Sequence, residues 1–94
     1  MPPSPFLEAL SRHMLAHHYG KRTIDSYLYW IRFYIRFHDK RHPSELGAPE
    51  VMAFLSFLAN ERHVSVATQK IALNALAYLY NKYLQLPLGA LGLF

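Results

Sequence analysis

Arg22, Arg32, Arg36 and Lys40, with Asp25 and Tyr29 among them, are the residues of this 94-residue chain whose types and spacing best suit chemistry. At about 100° per residue they share one arc of a long helix predicted over residues 21–42. Lys21 stands at its start, and Arg41 and His42 at its end. Cations held in a row can grip a polyanion, and nucleic acid is the commonest one. The plain alternative is a solvated basic face.

A second group follows at Ser65, Thr68, Gln69, Lys70 and Asn74, at the start and along the outer arc of a predicted fourth helix. Open amides at a helix N-terminus can hold a phosphate, and Gln or Asn can read an adenine edge. The plain alternative makes Ser65 an N-cap and Gln69 a surface residue. Trp30, Phe33, Tyr34 and Phe37 could stack on bases, but their helical spacing favours the core. His13 and His17 stand four apart with His18 beside them, a spacing that two metal ligands can share. No acid lies within that cluster, and the chain has no cysteine, so a packed histidine is favoured and no metal or other cofactor is expected. Neither a phosphate loop, a His-Glu-x-x-His helix nor a Ser-His-Asp order occurs. The chain alone is therefore expected to hold no catalytic residue and not to be an enzyme, which disfavours a standalone nuclease.

The elements that must position these groups are helical. Ser4 and Pro5 predict an N-cap and first turn of a helix running to about Tyr19, with Gly20 as its C-terminal cap. Its inward residues are Phe6, Leu7, Leu10, Met14 and His17, with Glu8, Arg12 and Tyr19 opposite. The second helix has Thr23 as N-cap and ends near Asp39. Ile24, Tyr27, Leu28, Ile31 and Ile35 form its buried stripe, flanked by the aromatic row. His42-Pro43 forces an extended step, and a short connector leads to a third helix from Ala48-Pro49 to about Arg62. Val51, Phe54, Leu55 and Leu58 face inward there. The fourth helix runs from Val66 to Leu84 behind Ser65. Leu73, Leu76, Leu79, Tyr80 and Tyr83 face inward, and Ala72, Ala75 and Ala77 allow another helix to approach closely. No strand alternation or repeat is present. The fold class is all-α, in one domain over residues 1–87 with an apolar tail over 88–94.

Composition agrees. Hydrophobic residues are 52% and aromatics 15%, enough for a core and against disorder. The net charge of +4 favours an anionic partner. No apolar run is long enough to span a membrane, and MPPSPFLEAL lacks the features of a signal peptide, so a cytoplasmic location and no membrane partner are expected. The tail LPLGALGLF is an association liability that could mediate self-association.

The run R-T-x-x-x-Y-x-x-W-I-R-x-x-I-R-F-H, from Arg22 to His38, resembles the second helix of the integron integrases, which are tyrosine recombinases. Further matches follow in order: His42-Pro43 with Leu46-Gly47, Phe54-Leu55-Ser56, Leu58-Ala59, Glu61 to Ser65, Thr68-Gln69, Leu73 to Leu76, and Leu79-Tyr80. The resemblance covers residues 6 to 87. It implies a four-helix SAM-like core-binding domain of orthogonal helical hairpins that presents its second and fourth helices to DNA. It also implies a separate catalytic domain carrying the tyrosine nucleophile, so none of the seven tyrosines here takes that role. A tetramer of recombinase protomers on two DNA segments is implied as well. Two departures stand out: Ile71 and Ala72 replace arginines of related recombinases, and an apolar tail replaces a basic linker. The expected function is gripping a recombination site during DNA integration. The rival is a helical bundle that binds a partner protein through its tail and small-residue faces.

Overall fold

The computed structural model describes residues 5–88. Four α-helices are found among them: α1 (Pro5–Ala16), α2 (Lys21–Phe37), α3 (Ala48–Asn60) and α4 (Val66–Ala77), with no strand. A 3₁₀ turn at Pro43–Glu45 joins α2 to α3, and α4 widens into a π-helical segment at Tyr78–Tyr83. The expected all-α, four-helix architecture is what forms. Ser4 and the tail beyond Leu88 lie outside the described residues. Leu88 itself packs against the core.

Of the stripe expected on α2, Ile24 and Ile31 are buried while Tyr27, Leu28 and Ile35 are half-buried; Trp30 and Tyr34 of the aromatic row complete the buried side, and α3 answers with Val51, Phe54, Leu55 and Leu58. On α4 the inward residues include Ala72 and Ala75 beside Leu76, while Leu73 is only half-buried. Small side chains at that contact let α2 and α4 form the most extensive helix pairing in the domain. Trp30, Phe33, Tyr34 and Phe37 belong to the core layer as well. Phe33 and Phe37 pack on Phe54 and Phe57 with centroid separations of 4.8–6.1 Å.

A three-member polar relay crosses this core. Tyr80 donates its hydroxyl hydrogen to the Pro43 carbonyl at 2.8 Å. The Tyr34 hydroxyl, 2.9 Å from that of Tyr80, must then donate to the Tyr80 oxygen, because Tyr80 has one hydrogen. Both rings are fully buried. Burial raises both phenol pKa values, so they stay protonated. The relay ties α2, the π segment and the α2–α3 link together.

Helix ends differ from the expectation in an instructive way. Gly20 does not cap α1. It is extended and serves as the N-cap of α2, in place of Thr23. The left-handed position after α1 is His18 (φ 65°), with Tyr19 N–H bonded to the Met14 carbonyl and His18 N–H to that of Leu15, a Schellman pattern. Asp39, Lys40, His63 and Gln85 also have positive φ, each just past a helix. None is glycine, so each carries a steric cost of about 1–2 kcal/mol. His18→Gly is therefore expected to stabilise the domain by about 1 kcal/mol, visible as a higher urea midpoint at unchanged slope. An unchanged or lower midpoint would show that the His18 side chain contributes more than its backbone costs.

Early termination also re-aims side chains. His17 is exposed and His13 takes the inward place on α1, while Tyr19, expected on the outer side, is half-buried against Tyr27 and Tyr78. Because α2 stops at Phe37, Lys40 lies in the left-handed turn beyond it and is no longer on the helical arc.

Candidate nucleic-acid interface

The arc of α2 that faces solvent carries Lys21, Arg22, Asp25, Tyr29, Arg32 and Arg36, all exposed. Lys21 and Asp25 form a surface pair at 3.6 Å, which contributes little to stability. Farther along, Tyr29, Arg32, Phe33 and Arg36 line a groove of about 350 Å³ together with Arg62 from the α3–α4 link. Arg62 holds its guanidinium carbon 5.4 Å from the Phe33 ring centre, a cation–π contact that orders it at the groove wall. Among the described residues, no carboxylate lines this groove. Tyr29 remains 57% exposed, an aromatic ring open to a ligand there.

Arg62 was not among the residues expected from the sequence. The 100° rule groups residues along one helix, and Arg62 reaches the groove from another element. Its link is pinned by Arg62 N–H to the Phe57 carbonyl and Val64 N–H to that of Leu58, with His63 left-handed between them.

Ser65 is three residue steps beyond Arg62, so the start of α4 lies within about 11 Å of it along the chain. Ser65 is the N-cap as expected: its Oγ accepts the Thr68 N–H at 3.1 Å and donates to Thr68 Oγ1 at 3.0 Å. The amide row is thus capped at its third position, and the amides of Val66 and Ala67 are the ones helix geometry leaves without an intrahelical acceptor. Lys70 is exposed and flanks a shallow apolar notch with Ala59, Val64, Val66 and Gln69. Gln69 is half-buried and donates its amide hydrogen to the Leu55 carbonyl at 3.1 Å, locking α3 to α4. A two-bond approach by Gln69 to a base edge would have to break that contact.

Asn74 faces another side, in a cleft with Tyr19 and Tyr27. Arg41 is exposed and reaches back toward the Glu45 carbonyl at 3.4 Å. His42 caps the 3₁₀ turn. Its Nδ1 accepts the Ser44 N–H at 3.1 Å and lies 2.8 Å from the Ser44 hydroxyl, while its ring packs edge-on against Phe6. His42 is thus engaged within its own turn, as the cap of the 3₁₀ segment.

The histidines of α1 do not gather ligands: among the described residues, no group of three metal-ligating side chains occurs. His17 spends Nδ1 on the His13 carbonyl at 2.8 Å. His13 Nδ1 lies 2.5 Å from the Tyr78 hydroxyl. Burial and then the neighbouring His17 push the His13 pKa down, while burial raises that of Tyr78, so the phenol donates and the imidazole stays neutral. A group with a folded pKa below the unfolded 6.5 stabilises the fold above that value. That stabilisation is lost as pH falls from 6.5 toward the folded value, because the unfolded chain protonates first. Wild type is expected to lose more stability than His13→Asn between neutral pH and pH about 5 by chemical denaturation. Parallel losses would show that His13 does not titrate differently on folding.

A match to the phage integrase N-terminal SAM-like domain covers residues 6–90. The chain belongs to that family. It is also 57% identical over 67 residues to proteins named "Integrase/recombinase" from Escherichia coli and Pseudomonas aeruginosa. Those matches cover 71% of this chain and 20% of each relative, so the chain spans about a fifth of the length of the curated relatives it matches. The SAM-like domain has no helix, among its described residues, long and apolar enough to cross a membrane.

Proposed function

We propose that this SAM-like domain grips the backbone of a DNA recombination site, and that a separate catalytic domain cuts and rejoins the strands. The observation that carries the reading is the convergence of Arg32, Arg36 and Arg62, from two elements, on one groove that no carboxylate lines. Phosphate contacts supply most of the affinity in such interfaces and need cations fixed in space. Lys21 and Arg22 extend the basic arc at one end of α2, and Lys40 and Arg41 follow its other end. Ser65, Thr68 and Lys70 add a short polar stretch next to the Arg62 link, with Asn74 farther along α4. Gln69, bonded to the Leu55 carbonyl, braces this surface, and His42 caps the turn beyond α2.

The match to a phage integrase domain and to relatives named "Integrase/recombinase" supports a recombinase setting. The residue pattern from Arg22 to His38 supports the integron type of tyrosine recombinase. On this reading residues 1–87 form the DNA-binding unit, the partners are DNA and further recombinase protomers in a tetramer, and the place of action is the cytoplasm. Self-association through the apolar tail concerns residues 88–94, of which Leu88 alone is among those described.

Anisotropy titrations of a labelled duplex across a salt series test the reading. Binding should weaken steeply with salt, and Lys70→Ala should lower the log–log slope by about one unit if that ammonium meets a phosphate. Failure of the domain to retain any duplex at low salt would defeat the proposal.

A further inference from the structure

A second concave surface opens on a different flank of α2. Tyr27 and Tyr29 are two positions apart, about 200° around the helix, so the cleft that Tyr27 lines and the groove that Tyr29 lines look in different directions. The cleft has a volume of about 230 Å³, and its walls are Tyr19, Tyr27, Asn74, Tyr78, Asn81 and Lys82. Positions 74, 78, 81 and 82 recur at the spacing of one helical face, and Ala77 keeps the cleft open between them.

Several of its groups can donate. The Asn81 Oδ1 accepts the Leu88 N–H at 3.2 Å, which settles the amide orientation and leaves its NH₂ as the outward group. Lys82 brings three further N–H donors and a full charge. The Tyr27 phenol is held protonated by burial and by the nearby Tyr19, so it too can donate. The Tyr78 hydrogen is already given to His13, which orders that wall. None of the chain's six acids lines the cleft, and none occurs after Glu61. Converging donors with one ammonium and no carboxylate suit an oxyanion, and charge-assisted donors bind one most strongly.

The geometry points to this cleft as a seat for one backbone phosphodiester of the bound DNA, with Lys82, Asn81 and Asn74 as its contacts. The inference rests on the DNA-binding reading and adds a second point of attachment, on a different side of α2 from the arginine groove. It also gives Lys82 a role that its place near the end of a helix does not reveal.

Amide NMR of the 94-residue chain, titrated separately with inorganic phosphate and with a non-specific duplex, tests it, together with salt-series anisotropy on Lys82→Gln. Lys82 is exposed, so its loss should leave the spectrum of the free domain otherwise intact. The expected result is duplex-induced shifts of the Asn74 and Asn81 side-chain amides and a salt slope about 0.9 lower for Lys82→Gln. Shifts confined to the arginine groove, with an unchanged slope, would overturn the inference and leave the DNA-binding reading standing. Duplex that perturbs neither surface would defeat both. Saturable cleft shifts with phosphate while duplex stays inert would assign the cleft to a free anion and overturn the backbone seat.

Discussion

Tyr80→Phe is expected to cost about 2–4 kcal/mol of folding stability, whereas Tyr34→Phe should cost only about 1 kcal/mol. The two rings are equally buried, so burial alone predicts equal costs. The hydrogen bonds are not symmetric. Removing the Tyr34 hydroxyl takes away one donor from the Tyr80 oxygen and orphans no hydrogen. Removing the Tyr80 hydroxyl breaks the bond to Pro43 and strands the Tyr34 hydrogen in the core without an acceptor. The Pro43 carbonyl keeps the Leu46 N–H at 3.0 Å, so the stranded donor is the larger loss. Adding Tyr34→Phe to Tyr80→Phe should therefore recover stability, because the stranded group is then gone. At about 4–8 °C per kcal/mol for a domain of this size, Tyr80→Phe should lower the thermal midpoint by roughly 10 °C or more. Equal costs for the single variants, with a double variant at their sum, would rule out the directed relay.

Replacing Arg32, Arg36 and Arg62 together by alanine is expected to reduce duplex affinity about 500-fold near 0.1 M salt. Each phosphate contact contributes about 0.9 to the salt slope, which over the decade between 0.1 and 1 M corresponds to nearly tenfold in binding. Three such contacts should remove about 2.7 from the slope. The three side chains are exposed, so the folded domain should survive the change. Arg62→Ala alone decides whether the link acts with α2. A slope lower by about 0.9 would show that it does, and an unchanged slope would confine the grip to the helix. Retention of the full slope in the triple variant would place the DNA on another face and remove the groove from the proposal.

Much of this could be read from local pattern. The spacing of Ile24, Tyr27, Leu28, Ile31 and Ile35 marked the inner side of α2, although only Ile24 and Ile31 are fully buried, and the same rule placed Arg32 and Arg36 outside. Ser65 before Val66 marked the start of α4. These features depend on neighbours within a turn or two, which the chain order contains directly. The helix ends were less legible. Gly20 looked like a terminator, yet His18 takes the left-handed position, because the hydrogen bonds and the burial of Tyr19 beyond it outweigh the steric cost of a side chain there. Widening at Tyr78–Tyr83 had no sequence marker either. There Tyr78 meets α1 and Tyr80 meets the α2–α3 link, so adjacent sides of the same segment are wedged in the core.

Sequence by itself therefore determined the four helices, their buried stripes, the basic arc of α2 and the family pattern, since each arises from residue type and short-range periodicity. Tertiary structure alone decided that Arg62 joins Arg32 and Arg36, that Gln69 turns toward α3 to hold the frame, and that Tyr27, Asn74 and Lys82 meet across one cleft. Those groups come from separate elements, and only the closing of the core brings them together.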